Sequence, residues 1–503
     1  MEMKKIHIAI AAAALILTGC SKDFVSPRHN SSEPLDEYYN TEARMHEGLV
    51  AAYHPLTWFD YFNQYCPLNL VSDIMADDIY CGGESPNDQK PLAYAHLYTL
   101  QSTEQPSMIW TICYSGINRS CVVLQYVDGV EGMSDATKSL YKAEATVLKA
   151  FYYNLLWKFW GNVPYYDENL TSPYLTEQLD HDAVYEKIVT RLEEAIDMGV
   201  LPMKVAGGNE GRVSLAMAYM LYAETVMYQK DQSRYSKALG YMKEIIESRK
   251  YDLVSDFAGI WLETGEWGAE SIWEINYFSE GGLRDWGAPL NAGGQVYSVL
   301  TGINGYSGGI YYPGWGFGTV AKSAYDMFDD ADIRKDASIL NWEKHIAEVE
   351  PEATYNSERW ENTGYFLNKY VARKNGNHGF LASDNLNFGN NLRYYRYAET
   401  LLNAAELSVL TGADGSSYLK QVRDRAHCPD TGTSIDDIIE ERHKEFVGEG
   451  KRYWDLVRSG KAASVLKGSN HEYRERDWTE SKKYWPIPQS ELDKDPNLQQ
   501  NNY

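Results

Sequence analysis

The stretch that decides the fold runs from Arg396 to Glu406 and reads RYAETLLNAAE. It lies within Arg393–Leu410, where apolar residues recur at helical spacing, and Gly412 follows as a helix stop. Arg396 and Glu399 are one turn apart, so their charges are placed to join this helix to a neighbouring element. We therefore predict a helix here whose charged residues serve the architecture of the fold.

Helical periodicity extends to both sides of this stretch. Thr137–Trp160 carries one long apolar stripe, which Gly161 and Pro164 bring to an end. Two shorter stripes, 213–227 and 235–246, form a helix–turn–helix unit of roughly 34 residues that resembles a tetratricopeptide repeat. Because paired helices bury their faces only by stacking on neighbours, we predict a mainly α fold: an α/α superhelix with tetratricopeptide-like helical hairpins plus long irregular ligand-binding loops. Further predicted helices are 184–196 and Ile435–Ser459.

The N-terminus has the layout of a bacterial secretory signal. A basic start is followed by the apolar run Ile6–Leu17, which is too short to span a membrane, and by Leu17-Thr18-Gly19-Cys20. A cysteine in this position resembles the lipobox of lipoproteins; an ordinary signal peptide is the alternative. We predict a lipoprotein signal peptide at 1–19, then lipidated Cys20 and a flexible tether over 20–40.

Composition excludes several classes of partner and site. A net charge of −24 over 503 residues argues against nucleic acid and against an anionic membrane surface, since both require basic patches. An odd number of cysteines remains after Cys20, and none of them has C-x-x-C spacing, which disfavours both a zinc site and a disulfide framework. Cys66 and Cys81 are left open as either a disulfide or two free thiols. The remaining cysteines are Cys113, Cys121 and Cys428.

Gly281–Gly318 is the least helical and most aromatic segment. It contains twelve glycines, and its only charges are Arg284 and Asp285. Disordered segments are typically charged and poor in aromatics, so we predict that this one is ordered and functional. Sugars stack on aromatic faces and bond to amides; packing of the rings onto the helices is the alternative. The candidate platforms are Trp286, Tyr306, Tyr312 and Trp315, with Asn291, Gln295 and Asn304 as hydrogen-bonding partners.

Catalytic motifs are weak in this chain. Gly305–Gly309 fits the G-x-S-x-G pattern of a nucleophile elbow, but no helical pattern follows it as the elbow requires. The paired carboxylates Asp77 and Asp78 belong to residue types that glycosidases use, yet adjacent side chains point apart, whereas the catalytic pair needs a separation of roughly 5–10 Å. We therefore predict a binding protein.

The C-terminal third resembles the SusD/RagB family of nutrient-uptake lipoproteins from Bacteroidota. The helix quoted above looks like the family's RYAE-x-LLN-x-AE motif, and looser likenesses reach back to the lipobox. His443 and Ser459 stand where the family frequently has arginine and tryptophan. The other matching segments are Ser72–Asp78, Phe159–Pro164, Asp332–Arg334, Val422–Ala426, Glu441–Arg458 and Trp485–Tyr503.

This resemblance implies a lipid-anchored protein, exposed on the outer-membrane surface, that acts as a lid for a SusC-like TonB-dependent transporter. It implies an oligosaccharide ligand, with a peptide-binding lid or a surface glycosidase as alternatives. It implies no cofactor but leaves room for a structural calcium ion. Ligand contacts are expected from Tyr80–Trp110 and Gly281–Gly318. Tyr98, in the first of these regions, and Asp78, just before it, are further candidates. The predicted divisions of the body are an N-terminal helical region at 41–280 and a C-terminal region at 281–503.

Overall fold

The computed structural model describes residues 35–279, 284–291, 293–374, 384–429 and 431–503. The predicted signal peptide, Cys20 and the tether up to residue 34 lie outside these residues. Within the described part of the chain, no helix is both long and apolar enough to cross a membrane.

The N-terminal half is a layered stack of helices, each of which buries one side against the next. The α5 helix packs against α6, α6 against α7, and α8 against α9. A short antiparallel pair of strands follows the long helix α6. The elements are α1 Leu35–Tyr38, α2 Glu42–Tyr53, α3 Leu68–Asp73, α4 Lys90–His96, α5 Met108–Tyr126, α6 Asp135–Trp160, β1 Val163–Pro164, β2 Gln178–Leu179, α7 His181–Asp197, α8 Leu215–Gln229 and α9 Tyr235–Ser248.

The middle of the chain is mostly irregular and joins the helical stack to the C-terminal helices. Its elements are β3 Ser271–Ile275, α10 Tyr297–Leu300, α11 Lys322–Asp326, α12 Arg334–Ser338, β4 Ile339–Asn341, α13 Trp342–Glu348 and β5 Tyr365–Leu367. β4 and β5 pair antiparallel, with Leu340 opposite Phe366.

The C-terminal part returns to helices and packs on the N-terminal stack, chiefly through α14 on α9. β6 pairs antiparallel with β3, so that Ile275 lies opposite Leu392. The elements are β6 Leu392–Arg396, α14 Tyr397–Leu410, α15 Ser416–Ala426, α16 Ile435–Glu445, α17 Arg452–Ser459, α18 Ala462–Val465 and α19 Gln489–Leu492.

The helices predicted in the N-terminal half are confirmed. The Ser134 hydroxyl caps α6 by accepting from the Thr137 N–H at 3.1 Å, and the helix ends at Gly161, whose φ of 69° is a left-handed conformation. The predicted helix–turn–helix unit is α8 and α9, and the rings of Tyr219 and Tyr241 stack between them at 4.1 Å. The mainly α fold is therefore the one that the periodicity indicated.

Two predicted boundaries are wrong. Arg393–Arg396 is a strand, because pairing with β3 outweighs the helical pattern of its neighbours. The predicted helix Ile435–Ser459 is two helices, separated by a turn in which Gly448 and Gly450 have positive φ. The helix α1 begins at Leu35, within the range predicted for the tether.

The residues of the family motifs meet in one buried set of ion pairs, here called the charge network. Arg396 donates to Glu449 at 2.7 Å and pairs with Glu445 at 3.1 Å, and Arg334 donates to Glu445 at 3.0 Å. The positive charges around Glu445 outweigh the effect of burial and hold the pKa of its carboxyl well below the usual range. The motifs are thus architectural, as the sequence indicated. The network consists of Glu270, Asp332, Arg334, Lys369, Arg396, Arg423, Arg425, Glu441, Glu445 and Glu449.

Candidate functional site

Four aromatic side chains from three separate loops form a closed cycle of contacts at the protein surface. The ring centroids are 5.0 Å apart for Tyr61 and Tyr65, 5.7 Å for Tyr65 and Trp315, 6.1 Å for Trp315 and Trp286, and 5.4 Å for Trp286 and Tyr61. The indoles of Trp286 and Trp315 are inclined by only 28° to each other. Trp286 is 43% exposed, and the other three are partly buried. The cycle therefore presents a continuous aromatic surface to solvent.

A small separate core supports these rings. The side chains of Tyr61, Tyr65, Trp315 and Tyr312 all pack against it, and Tyr312 makes an edge contact with Phe388 at 5.9 Å. We call Tyr61, Tyr65, Trp286, Tyr312 and Trp315 the aromatic platform. Its supporting core, named the small core from here on, consists of Val296, Val299, Ala372, Leu386 and Phe388.

Backbone contacts hold the loop of Trp315 against the small core. The Trp315 N–H donates to the carbonyl of Val299 at 2.8 Å, and the Tyr312 N–H donates to the carbonyl of Ala372 at 2.9 Å. A Cβ atom at Gly314 would lie only 2.2 Å from the carbonyl carbon of Gly302, so this crossing of two backbones requires glycine. The glycines in this part of the loop therefore permit close packing and do not indicate disorder.

A buried ion pair lies beneath the rings of Tyr61 and Trp286. The guanidinium of Arg284 donates to both carboxylate oxygens of Asp60, at 2.8 and 2.9 Å. Both residues are at most 2% exposed. Burial lowers the pKa of Arg284, but the neighbouring Asp60 carboxylate more than compensates, and the net pKa is raised above the ordinary arginine value. Arg284 is thus charged at neutral pH.

Polar groups lie next to the platform. The Arg359 guanidinium donates to the Trp315 carbonyl at 2.7 Å, and the Asp285 carboxylate accepts from the Trp286 N–H at 2.7 Å. Burial raises the pKa of Tyr65, and the nearby charge of Asp88 raises it further, so its hydroxyl remains a neutral donor at physiological pH. Aromatic faces with a few polar groups beside them suit a sugar ligand, whose C–H faces stack while its hydroxyls form hydrogen bonds.

The structure brings three of the predicted site residues together: Trp286, Tyr312 and Trp315 belong to the platform. Asn304 lies in the loop that leads to Trp315, is half-buried, and donates from its side-chain amide to the Asn356 carbonyl at 3.4 Å. Whether these residues contact a ligand stays a prediction.

The structure contradicts the prediction of an exposed binding side chain for four other candidates, which are buried: Tyr98, Tyr306, Gln295 and Asp78. Tyr98 is 2% exposed, and its hydroxyl donates to the Met75 carbonyl at 2.7 Å. Tyr306 is 5% exposed, packs against Tyr311 and donates its hydroxyl to Glu350. Gln295 is buried and donates to the Ser298 hydroxyl at 2.6 Å. Because these three side chains are buried and already have protein partners, they offer no surface to a glycan.

Asp78 belongs to an internal pair of charges. It is 3% exposed and accepts a hydrogen bond from His443, while Asp77 accepts from Arg452 at 2.8 and 2.9 Å. The ligand-type atoms of Asp77, Asp78 and His443 lie within 4.8 Å of one another. Burial lowers the pKa of His443, but the Asp78 carboxylate raises it more, to about 9. Cations of the protein itself therefore occupy these carboxylates, and the expected room for calcium stays a prediction without assigned residues.

The elbow-like sequence has no elbow geometry. The Ser307 N–H donates to the Thr354 carbonyl at 2.8 Å in an isolated bridge, and the next helix along the chain after it begins only at Lys322. A nucleophile elbow requires a helix directly after the serine. The described geometry therefore agrees with the sequence in disfavouring a serine hydrolase.

Sequence reasoning missed Tyr61 and Tyr65. Both lie in the segment Trp58–Tyr65, where five of eight residues are aromatic: Trp58, Phe59, Tyr61, Phe62 and Tyr65. This density of aromatic residues could have indicated a second part of the candidate site. The segment Trp58–Tyr65 contains no glycine, unlike Gly281–Gly318, so its composition is also typical of a helical core.

The five cysteines beyond Cys20 are free thiols in the structure. Cys66, Cys81, Cys113 and Cys121 are buried, and Cys428 is half-buried. Of the two alternatives left open for Cys66 and Cys81, the structure has the free thiols. Burial raises the pKa of these thiols, as expected for inert structural cysteines.

Comparison with known proteins identifies the family. The model described as "SusD family" matches residues 269–503, and the one described as "Starch-binding associating with outer membrane" matches residues 29–213. Surface glycan-binding protein A from Bacteroides thetaiotaomicron, solved in complex with laminarihexaose, is 47% identical. It aligns over 92% of this chain and 100% of its own, with a TM-score of 0.87. The chain belongs to the SusD family.

Other members of the SusD family are more distant but match along most of their length. A laminarin binding SusD-like protein of known structure is 29% identical, covers 92% of this chain and 99% of its own, and has a TM-score of 0.82. SusD-like protein P25 from Formosa agariphila is 23% identical over 92% of both chains. Membership in the SusD family agrees with the resemblance of the sequence motifs.

Proposed function

We propose that this SusD-family protein captures laminarin-type glucose oligosaccharides on its aromatic platform and acts without catalysis. The observation that carries the proposal is the closed cycle of four rings at the surface, with polar groups beside it. A protein that is 47% identical and was solved with laminarihexaose supports this choice of ligand.

The proposal includes a place in the cell. Lipid on Cys20 would hold the protein at the outer-membrane surface, where it would act as a lid over a SusC-like TonB-dependent transporter. Membership in the SusD family and the lipobox-like sequence before Cys20 support both parts. In this arrangement the platform faces the glycan and the lid delivers it to the transporter.

The decisive test is a double substitution that removes both indoles, Trp286→Ala/Trp315→Ala, in a soluble form that begins at Ser21. Calorimetry with laminarihexaose should show binding by the wild type and a loss of at least tenfold in affinity for the variant, because aromatic residues at such sites contribute about 2 kcal/mol or more. The matched control is Tyr174→Ala, which removes a 69% exposed ring from the loop between β1 and β2. Affinity unchanged by the double substitution contradicts the site.

Ligand panels separate the alternatives. Maltohexaose and cellohexaose have the same sugar units in other linkages, and we expect both to bind more weakly than laminarihexaose. A panel of oligopeptides tests the peptide-binding lid: tight peptide binding without glycan binding would replace our proposal. Prolonged incubation with laminarin tests the glycosidase, since release of new reducing ends would establish catalysis.

A further inference from the structure

We propose that the buried Asp60–Arg284 ion pair is the positioning device of the aromatic platform. It sets the mutual geometry of the loops of Tyr61 and Trp286 before any ligand arrives. This inference rests on the proposed function. It states that the glycan affinity of the platform depends on two buried residues that do not themselves contact the ligand.

Arg284 connects three stretches of backbone through a single side chain. Besides the two bonds to Asp60, its Nη2 donates to the Tyr61 carbonyl at 2.6 Å, its Nη1 to the Gly294 carbonyl at 2.9 Å and its Nε to the Pro289 carbonyl at 3.1 Å. Its N–H groups therefore tie the start of the segment that carries Trp286 to two points further along the chain, Pro289 and Gly294. The planar guanidinium allows this, because its donors have a fixed relative orientation.

Asp60 completes the connection from the other side. Its carboxylate accepts hydrogen bonds from the N–H of the next residue, Tyr61, at 2.8 Å and from the Val296 N–H at 2.6 Å. Val296 begins the small core on which Trp315 and Tyr312 rest. One ion pair thus joins all three loops of the platform: the loop after Asp60, the segment of Trp286 and the segment that leads to Trp315.

The packing around the pair leaves little freedom for the loops to shift. The Asn387 side chain donates to the Arg284 carbonyl at 3.0 Å and accepts from the Gly294 N–H at 3.2 Å. A Cβ atom at Gly294 would lie 2.3 Å from the carbonyl carbon of Asn387. The two backbones therefore touch directly.

Energetics favour a positioning role over a purely stabilising one. A buried ion pair gains little net stability over an apolar pair of the same size, because both charges lose their hydration. What it supplies is directional bonding. Loops that are already ordered spare the ligand the entropic cost of ordering them, and affinity rises accordingly.

Asp60→Asn tests the inference, because it keeps the shape of the side chain and removes the charge opposite Arg284. We expect at least a tenfold loss of laminarihexaose affinity in the soluble form. The matched control is Glu406→Gln, which breaks the pair of a buried carboxylate with the partly buried Arg458 in the C-terminal helices. That variant should lose thermal stability but retain wild-type affinity.

A spectroscopic readout distinguishes positioning from a general loss of structure. In protein labelled with fluorotryptophan, the fluorine NMR signals of Trp286 and Trp315 are assigned from their alanine variants. In Asp60→Asn both signals should shift or split, whereas in Glu406→Gln they should stay in place. Arg284→Lys serves as a second variant: it keeps the charge but not the fork of donors, and we expect an intermediate loss of affinity.

The outcomes separate this inference from the proposed function. Wild-type affinity in Asp60→Asn, or lost affinity with unmoved signals of Trp286 and Trp315, overturns the positioning role. If Asp60→Asn does not fold, wild-type affinity in Arg284→Lys overturns the positioning role instead. Wild-type affinity in the double tryptophan variant instead overturns the binding site itself.

Discussion

The charge network and the aromatic platform are opposite solutions to holding loops and helices together. In the network, Glu445 is fully buried and is bonded from several sides by arginines on α12, α15 and the end of β6. In the platform, rings such as Trp286 stay partly exposed and contact one another edge to face or stacked. The first region carries the family motifs, and the second is the proposed ligand site. The strong motifs of this chain therefore serve its architecture, and the proposed ligand site lies outside them.

The largest expected effect is on stability, at Glu445 of the charge network. We expect Glu445→Gln to lower the free energy of unfolding by ~3–5 kcal/mol, because it leaves the otherwise balanced network with one buried positive charge in excess. Urea denaturation followed by circular dichroism measures this. Laminarihexaose affinity of the folded variant should equal that of the wild type, since Glu445 is not part of the platform.

A surface pair provides the control for that experiment. Glu186 is 55% exposed and pairs with Arg234 at 2.9 Å. Exposed pairs contribute roughly 0–1 kcal/mol, so Glu186→Gln should be nearly neutral. If Glu445→Gln costs no more than this control, the network is not what holds the C-terminal helices together.

The next effect concerns pH and the pair of His443 with Asp78. The folded-state pKa of about 9 lies above the ordinary value of 6.5, since Asp78 overcomes the effect of burial. The charge of His443 therefore contributes fully below pH ~6.5 and is lost as the pH rises through 9, on the order of 2–3 kcal/mol. Arg452, Asp77 and Glu440 are the other charged groups around it.

Substitution by arginine isolates this effect. His443→Arg keeps a positive charge at all these pH values, so its unfolding free energy should fall less than that of the wild type between pH 6.5 and 9. Laminarihexaose affinity should be the same for both proteins across that range. Parallel stability curves for the two proteins would refute the assignment to His443.

The smallest expected effect is at a glycine of the platform. Gly314→Ala places a Cβ 2.2 Å from the carbonyl carbon of Gly302 and should displace the loop of Trp315. We expect ~1–3 kcal/mol of strain, seen as weaker laminarihexaose binding in calorimetry. Gly287→Ala is the matched control, because a Cβ there meets no atom within 4 Å. Equal affinities of the two variants would contradict the close approach at Gly314.

Much of the fold could be predicted from the sequence because helices are local. The stripe of Thr137–Trp160 and the stop at Gly161 are both encoded within one segment. Arg393–Arg396 could not be predicted as a strand, since its partner Ser271–Ile275 lies far away along the chain. The motif charges were correctly predicted to be architectural, although Arg396 lies at the end of a strand and its partners Glu270, Glu445 and Glu449 are distant in sequence.

The site was less predictable for the same reason. Trp286, Tyr312 and Trp315 stood out in a segment poor in charge, but Tyr306 and Tyr98 had the same residue type and proved to be buried. Exposure depends on which loops meet, and sequence separation hides that. Tyr61 lies more than two hundred residues from Trp286, and their contact depends on the buried pair beneath them.

The small core has a consequence for how this protein can change over evolution. Val296, Val299 and Phe388 support the rings without sharing a residue with the charge network. Substitutions in the three platform loops can therefore accumulate and alter which glycan is captured, while selection on the helices keeps the body unchanged. We therefore expect glycan specificity in this architecture to change through single substitutions in the platform loops, without loss of the fold.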